Sequence, residues 1–398
     1  MPQLLAGWEE TTLGEVAIIN PTEYIKKGEV AKNIPMDFLD NFTRKISKYT
    51  EKEFSWGMKF RNWDTLFARI TPCLENGKTA YVDILDDWEI AFWSTEYIVI
   101  REKKERSNSM FLYYLSVSPF FRDIAIKAMT GTSWRQRVQT DVLVNTKLHL
   151  PQLPEQQAIA AVLNSFDDKI ELLRAENQTL EQMGQELFKE RFGRWKVGDE
   201  LPEGWRVGKI EDLTNYIASW GTPATKEASY YGWRINWFST KELQDCFLFS
   251  SEKTITEDAL KNSSAKEFPK DTVLMAIYAA PTVWRLWILT QSSAFNQAAV
   301  GLVAKDDIWM PFIYLLLKLH RDNFNNLANW AAQQNLNVSL VKNYEIIIPD
   351  QETLSKFNLV IKPLFNKNRA NSEQIQSLSA TRDQLLPKLM SGEVRVEF

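Results

Sequence analysis

The sequence has few of the side chains that build metal centres, disulfide frameworks or nucleophilic triads. Its 398 residues include only two cysteines, Cys73 and Cys246, and two histidines, His149 and His320. Cysteines so far apart give no disulfide framework and are typical of a reducing compartment. Without a Cys-x-x-Cys pair a zinc site has almost no ligands, and nothing near either histidine suggests Ser/His/Asp catalysis. We therefore expect both histidines to be structural.

Long apolar runs, a leader pattern and an excess of positive charge are also absent. No apolar stretch of about 18 residues occurs, which excludes a membrane-spanning helix. Residues 1–5 lack the pattern of a secretory signal, so we expect a cytoplasmic protein. The formal net charge of −4 and the pI near 5.6 argue against a uniformly basic nucleic-acid binder. Local basic clusters remain compatible with DNA binding, so charge alone leaves that question open.

The chain repeats itself at a spacing of about 200 residues. Similar segments recur in the same order, which chance would not preserve, so we interpret the repeat as a tandem duplication. In both copies the last of these segments ends in a proline that leads into a long stretch with helical spacing. The paired segments are Leu5–Trp8 with Pro202–Trp205, Asp64–Ile70 with Asp271–Ile277, and Leu148–Pro151 with Ile346–Pro349.

Each copy begins with short-period patterns that predict a mixed α+β domain. Glu96–Ile100 and Ala298–Val303 are typical of strands, because they are short runs rich in β-branched residues. Met110–Ala128 and Pro311–Ala328 have the spacing of amphipathic helices. Strands are expected to predominate before the helix in each copy.

Each copy ends in a stretch with heptad spacing, sustained over about four heptads. The pattern predicts two helices that pair as a coiled coil, a rod of roughly 60 Å at about 1.5 Å per residue. Asn177 and Asn368 fall at a positions, where a buried polar residue fixes register and partner at some cost in stability. The alternative is two helices packed separately on their own domains. The predicted seam residues are Leu163, Phe166, Ile170, Leu173 and Leu180 in the first copy, and Ile361, Leu364, Ile375 and Leu378 in the second.

Several motifs, together covering essentially the whole chain, resemble the specificity subunits of type I restriction-modification systems. Asp64–Lys78 resembles the signature of the first domain, Leu153–Gln157 the opening of the spacer helix, and Leu201–Trp205 the opening of the second domain. The motifs follow the family's order. Further matching segments are Ile235–Ser239, Asn296–Val300, Ala331–Asn337 and Leu386–Gly392.

The resemblance implies an α+β protein with two similar target-recognition domains separated by two long helices that form an antiparallel coiled coil. We expect recognition domains at 1–152 and 196–348, a central spacer helix at 153–195, and a C-terminal spacer helix with a tail at 349–398. In the family, each domain reads one half of a split site in double-stranded DNA. The helices set the gap and dock two methyltransferase subunits, which endonuclease subunits join. This chain would be non-catalytic and hold no cofactor, since S-adenosylmethionine, Mg²⁺ and ATP bind the partners.

Two segments superficially similar to catalytic motifs lack essential residues. Asn20–Tyr24 has only one of the two prolines in the Asn-Pro-Pro-Tyr motif of amino-methyltransferases, and no Gly-rich cofactor loop precedes it. Asn76–Thr79 ends like a phosphate-binding loop, but Pro72 stands where that motif needs its first glycine. These gaps count against a self-contained modification-restriction enzyme. A second alternative is a coiled-coil scaffold without sequence-specific DNA binding.

Candidate DNA-contacting residues lie at matching places in both copies. Sequence-specific binding needs polar side chains that reach base edges and basic ones that hold phosphates. The loop Thr130–Arg137 is rich in both, and its counterpart Gln333–Asn337 is rich in amides, which can pair with adenine. The candidates are Arg69, Lys78, Thr132, Ser133, Arg135, Gln136 and Arg137 in the first copy, and Thr222, Lys226, Arg234, Arg285, Gln333, Gln334, Asn335 and Asn337 in the second.

Tryptophan is as abundant as glycine, with fifteen of each. Trp63 and Trp88 follow Asn and Asp where Asn-Gly or Asp-Gly would be the ordinary turn signal, and Trp284 stands at the repeat position of Gly77. We hypothesise that the gene uses UGA for glycine and that the sequence was translated with UGA as tryptophan. The alternative is genuine aromatics that stack on nucleic acid. The positions concerned are Trp56, Trp63, Trp88, Trp93, Trp134, Trp220, Trp233, Trp284, Trp287 and Trp330.

Overall fold

A computed structural model describes residues 6–132, 135–242, 247–277, 285–324 and 337–397. The chain divides into two compact units. Unit 1 comprises Met1–Glu171 and Gln376–Phe398, and unit 2 comprises Leu172–Ile375. Each unit therefore contains one strand-rich domain together with parts of two long helices. In the part of the chain that the structure describes, no helix is long and apolar enough to span a membrane.

The domain of unit 1 is built from short strands. They are β1 (Trp8–Thr12), β2 (Ala17–Ile19), β3 (Val30–Asn33), β4 (Thr50–Glu53), β5 (Met58–Phe60), β6 (Thr65–Ala68), β7 (Thr79–Tyr81), β8 (Ala91–Trp93), β9 (Tyr97–Glu102), β10 (Met129–Thr130), β11 (Arg137–Val138) and β12 (Lys147–Pro151). Two four-stranded sheets have the orders β2-β9-β6-β7 and β4-β3-β8-β5, and β1 pairs with β12. Since β6 is buried along its whole length, the first sheet forms the centre of the core.

Two helices of unit 1 follow β9, and two shorter helices lie between β1 and β2 and between β11 and β12. A single helix was predicted from Met110 to Ala128, and that prediction is wrong. The first helix ends at Ser118, whose hydroxyl accepts a bond from the backbone N–H of Phe121 and caps the next helix. Pro119 occupies the first turn, where its missing N–H costs nothing. The helices are α1 (Leu13–Val16), α2 (Ser109–Val117), α3 (Pro119–Lys127) and α4 (Thr140–Val144).

The domain of unit 2 repeats this topology. Its strands are β13 (Arg206–Lys209), β14 (Thr214–Ala218), β15 (Tyr231–Phe238), β16 (Phe247–Leu248), β17 (Lys253–Ile255), β18 (Val273–Ala276), β19 (Leu286–Leu289), β20 (Ser293–Phe295), β21 (Ala299–Ala304) and β22 (Glu345–Ile348). Its helices are α5 (Glu257–Asn262), α6 (Met310–Leu319) and α7 (Val338–Lys342). The order β14-β21-β18-β19 matches β2-β9-β6-β7, and the pair β13-β22 matches β1-β12. The same neighbours in the same chain order confirm the duplication.

The two long helices are the central helix, Leu153–Phe192, and the C-terminal helix, Gln351–Ser391. In unit 2, Asn177 bonds Ser372, and the rings of Phe188 and Phe357 lie 5.6 Å apart. In unit 1, Asp167 binds Arg382. Within each unit, later positions on the central helix therefore meet earlier positions on the C-terminal helix. The predicted antiparallel pairing is confirmed, and the alternative of separately packed helices is wrong.

Burial along this seam follows the predicted spacing only in part. Leu163, Ile170, Leu173, Ile361 and Asn368 are buried, whereas Phe166, Asn177, Leu180, Leu364, Ile375 and Leu378 are half-buried. The residues after Phe166 and Leu364, which are Asp167 and Phe365, are buried instead. The cause is that each domain also covers one side of the helix pair. Tyr114 of unit 1 bonds Asp167, and Tyr314 of unit 2 packs its ring on Phe365.

Two of the suspect tryptophans adopt backbone conformations that favour glycine. Trp63 has φ of 73° and Trp88 has φ of 66°, and their side chains are 60% and 92% exposed. Such φ values are strained for a bulky L-residue. Because both rings are largely exposed to solvent, burial of the side chain does little to offset this strain. Trp56, Trp220 and Trp233 are also exposed, but without positive φ, and Trp287 is buried in the core of unit 2. Trp134, Trp284 and Trp330 lie outside the described residues.

Candidate nucleic-acid interface

In unit 1 the candidate residues gather around the hairpin of β10 and β11. The hairpin turns at Gly131, whose φ is 127° and where a Cβ atom would lie 2.9 Å from the carbonyl oxygen of Arg135. Only glycine fits that close approach. Thr132 and Arg135 are exposed at this turn, and Gln136 is half-buried because its carbonyl accepts a bond from the N–H of Thr71. Ser133 lies outside the described residues.

Arg69 and Lys78 each donate a structural hydrogen bond, Arg69 to the hairpin and Lys78 to the segment after β3. The Arg69 guanidinium donates to the carbonyl of Val138 at 3.2 Å, and its Nε is buried without a partner among the described residues. The Lys78 ammonium donates to the carbonyl of Met36 at 2.8 Å. Both side chains are half-buried. Neither side chain has an acidic partner in the described part of the chain, so each adds positive charge to unit 1.

Arg135 and Arg137 differ in whether an acidic side chain of the described residues neutralises their charge. Arg137 forms two-pronged bonds with the carboxylate of Glu96, with a shortest N–O distance of 2.5 Å, and the hydrogen bond raises the pKa of Arg137. Its charge is therefore locally compensated. Arg135 is exposed and has no ion pair among the described residues. Of the two arginines in this loop, Arg135 is the one available to a phosphate or a base edge.

In unit 2 three of the described candidates lie on β15 and on the loop before it. Thr222 is half-buried and donates to the side-chain carbonyl of Gln297 at 2.5 Å, which ties this loop to the segment before β21. Lys226 is exposed on the same loop. Arg234 is exposed on β15, with its guanidinium 5.4 Å from the ring centre of Trp233. Lys226 and Arg234 thus present positive charge to solvent from one region of unit 2.

The remaining candidates of unit 2 are only partly described. Arg285 is half-buried at the start of β19, and its carbonyl accepts a bond from the N–H of Ala276. Asn337 is exposed and caps α7, because its side-chain oxygen accepts a bond from the N–H of Leu340 at 2.8 Å. Gln333, Gln334 and Asn335 lie outside the described residues.

The sequence reasoning passed over the first-copy counterparts of Thr222 and Lys226. Thr22 and Lys26 stand 200 residues earlier, and Lys27 follows. All three are exposed on the loop between β2 and β3, beside Tyr24, whose side chain is 79% exposed. The signal that could have found them is the repeat offset itself. An exposed tyrosine and two lysines on one loop are chemically suited to bind a phosphodiester backbone.

The two histidines occupy unrelated structural positions. His149 lies on β12 with its Nε2 3.9 Å from a carboxylate oxygen of Glu10. His320 ends α6 with its Nδ1 3.1 Å from the Tyr344 hydroxyl, and burial lowers the pKa of His320. Across the described residues, no group of three or more His, Cys, Asp or Glu side chains is arranged to hold a metal ion.

Comparisons with known proteins agree on one family. The family model described as type I restriction modification DNA specificity domain matches residues 6–182 and 202–379. The chain is 30% identical to the type I restriction enzyme MjaIX specificity subunit of Methanocaldococcus jannaschii over 74% of this chain and 71% of the relative. It is 23% identical to the HindI specificity subunit of Haemophilus influenzae, over 98% and 100% of the two chains.

A solved structure supports the fold. The S subunit of a type I restriction-modification system from M. genitalium superposes with a TM-score of 0.57, covering 100% of this chain and 98% of that one. The sequence identity between the two is 15%, so this likeness concerns the fold alone.

Proposed function

This chain belongs to the type I restriction-modification DNA specificity family, and on that premise we propose that it reads a bipartite site in double-stranded DNA. Each of its two domains would bind one half of the site. The observation that carries the proposal is the family match to both copies of the repeat, at residues 6–182 and 202–379. Specificity subunits of type I systems are non-catalytic, with catalysis in other subunits.

The exposed basic residues support a binding face on each domain. In unit 1 they are Lys26, Lys27 and Arg135, and in unit 2 they are Lys226 and Arg234. None of them has an ion pair among the described residues, so each can neutralise a phosphate without first breaking a bond. Because the formal net charge is −4, DNA binding would rest on these local clusters.

The long helices are proposed to dock two methyltransferase subunits, with endonuclease subunits joining that core. Support comes from apolar side chains on the outer surface of the helix pair in unit 2. Leu172 and Met183 on the central helix are 61% and 48% exposed, and Leu359 and Val360 on the C-terminal helix are 77% and 51% exposed. Exposed apolar side chains on the helix pair supply apolar area that a protein–protein contact would bury.

Genome-wide mapping of adenine methylation tests the proposal, in cells that supply the cognate methyltransferase with and without this gene. We expect methylation at one split motif that disappears when the gene is removed. Salt-sensitive binding of the purified complex to that duplex would follow from phosphate contacts. Unchanged methylation with the folded protein present would contradict the proposal and favour the scaffold alternative, which needs no DNA sequence preference.

A further inference from the structure

A layer of amides interrupts the apolar seam of the helix pair within unit 2. The side-chain N–H of Asn371 donates to the side-chain oxygen of Asn177 at 2.9 Å, and Asn177 donates to the hydroxyl of Ser372 at 3.0 Å. Asn368 donates to the backbone carbonyl of Asn177 at 3.3 Å, and Asn371 also reaches Glu176 at 2.9 Å. We call Asn177, Asn368, Asn371 and Ser372 the amide layer.

Two members of the amide layer are buried, and all four take part in hydrogen bonds within the layer. Asn368 is 6% exposed and Asn371 is 2% exposed, so water cannot replace a lost partner at either position. Each amide of the layer finds its partner on the opposite helix or through Ser372. A buried amide is tolerated only in a pairing that supplies such partners.

The positions equivalent to the three asparagines of the amide layer are apolar elsewhere in the repeat, and the position equivalent to Ser372 is Arg174. The central helix begins at Leu153 and the C-terminal helix at Gln351, so residues 198 apart are equivalent. By that rule Asn177 corresponds to Ile375, Asn368 to Ile170, and Asn371 to Leu173. Ile170 and Leu173 are each 2% exposed. The two helices therefore share a seam pattern except that each carries amides where the other carries aliphatic residues.

This difference matters when two copies of the chain meet. In an antiparallel pair of two central helices, built with the same contacts, Asn177 would face Ile170, Leu173 and, in place of Ser372, Arg174 of the second copy. In a pair of two C-terminal helices, Asn368 and Asn371 would face Ile375. Symmetry would repeat each mismatch, and every buried amide without a partner weakens a pairing by about tenfold or more.

We propose that the amide layer makes the central helix select the C-terminal helix as its partner and reject the central helix of a second copy. The layer keeps the two halves of a duplicated chain paired with each other, although their seams are otherwise similar enough to self-associate. Its role is partner selection, as for single polar residues in coiled coils, and it is independent of whether the domains bind DNA.

Disulfide trapping of the full-length chain tests the proposal. The parent carries Cys73→Ser, Cys246→Ser and Arg174→Cys, because position 174 would lie near its own copy only in a pair of two central helices. Into it we would introduce Asn177→Ile, Asn368→Ile and Asn371→Leu, the residues found at the equivalent positions. We expect a rise of at least tenfold in disulfide-linked dimer under mild oxidation, while the parent stays monomeric.

A matched control makes three amide-to-aliphatic changes on exposed positions of the same helices. These are Gln178→Ile, Asn366→Ile and Gln374→Leu, and they should leave the dimer fraction at the parent level. Equal trapping in the control and the amide-layer variant, no rise in the latter, or trapping in the parent itself would overturn the proposal. Should the triple variant fail to fold by circular dichroism, Asn177→Ile alone must still raise the dimer fraction, since it leaves the central helix with an apolar seam.

Discussion

A buried tyrosine joins domain to helix in both units, but its acidic partner comes from different places. In unit 1 the hydroxyl of Tyr114 donates to Asp167 at 2.8 Å, and Arg382 binds the same carboxylate. In unit 2 the hydroxyl of Tyr314, 200 residues later, donates to Glu181 at 2.8 Å, and Lys318 joins it. Both acids lie on the central helix, which follows the first domain and precedes the second.

The repeat therefore preserves the tyrosine and relocates the acid. The position equivalent to Asp167 is Phe365, whose ring packs 5.7 Å from that of Tyr314. The two attachments differ in burial, since the Asp167 side chain is 6% exposed and the Glu181 side chain is 24% exposed. Burial, and then the charge of Asp167, raises the pKa of Tyr114. The difference teaches that a duplicated contact can keep its chemistry although the residue that supplies the acid does not stand at the equivalent position of the repeat.

The largest expected effect comes from Asp167→Leu, which removes the shared acid of unit 1. Tyr114 would lose its acceptor, and Arg382 would keep only the exposed Asp383. Breaking a buried ion pair in this way should lower the free energy of unfolding by about 3–5 kcal/mol. Urea denaturation measures it. Phe365→Leu at the equivalent position is the control and should cost about 1 kcal/mol. Equal losses would mean that the two attachments do not differ.

Removing the tyrosine hydroxyls compares the two attachments directly. Tyr114→Phe removes one hydrogen-bond donor from Asp167, the more buried of the two acids, and should lower the free energy of unfolding by about 1.5 kcal/mol. Tyr314→Phe should cost about 0.5 kcal/mol, because water can reach Glu181. Both variants are measured by urea denaturation at one pH. A larger loss for Tyr314→Phe would reverse the interpretation.

Glycine at the strained turns of unit 1 should stabilise the protein. Trp63→Gly and Trp88→Gly each relieve a left-handed backbone and should raise the free energy of unfolding by about 1 kcal/mol. Trp233→Gly in unit 2 is the control, since that exposed strand residue has no positive φ. It should lower stability by up to about 1 kcal/mol. Sequencing the codons at positions 63 and 88 tests the decoding hypothesis itself, which UGG codons would end.

Arg135 and Arg137 allow a comparison within one loop. Arg135→Ala should weaken binding to the cognate duplex by about fivefold. The slope of the logarithm of the binding constant against the logarithm of the salt concentration should fall in magnitude by about 1, as expected for one phosphate contact. Arg137→Ala should have a smaller effect, because Glu96 compensates its charge. Fluorescence anisotropy at several salt concentrations separates the two. If Arg137→Ala lost more affinity and more of its salt dependence than Arg135→Ala, Arg135 would not be the main phosphate contact of this loop.

The smallest expected effect is a pH dependence confined to unit 2. Burial lowers the pKa of His320 below its ordinary value of 6.5, so the native state favours the neutral ring. That contribution is fully present above pH 6.5 and is lost as the pH falls through 6.5 towards the folded pKa. The free energy of unfolding of unit 2, measured with urea, should fall by less than about 1 kcal/mol between pH 7.5 and pH 5.5. His320→Gln should remove this dependence, whereas a persistent dependence would assign it to other groups.

Much of the fold could be predicted from the sequence because its signals repeat. The central spacer helix was expected at 153–195 and the C-terminal spacer helix with its tail at 349–398, and the structure has helices at Leu153–Phe192 and Gln351–Ser391. The strand expected at Glu96–Ile100 appears as Tyr97–Glu102. Long periodic segments are specified locally, so composition and spacing are enough to find them.

Other features depend on tertiary contacts that spacing does not encode. The heptad pattern identified Phe166 and Leu364, but each domain covers the helix pair from the side and buries Asp167 and Phe365 instead. Asn371 was also missed as a seam residue, although it is buried and bonds Glu176 and Asn177 of the central helix. Among the DNA candidates, the sequence could not distinguish Arg137, bound to Glu96, from Arg135, which has no ion pair among the described residues, because the pairing joins residues 41 positions apart.

The left-handed turns at Trp63 and Trp88 have a consequence for gene transfer. If their codons are UGA, a ribosome that reads UGA as stop releases at most residues 1–62, before β6 and the rest of the buried sheet are made. A newly acquired gene would then yield no specificity chain and could not redirect a recipient's methylation. The decoding rule would act as a barrier that confines this DNA specificity to hosts sharing the same genetic code.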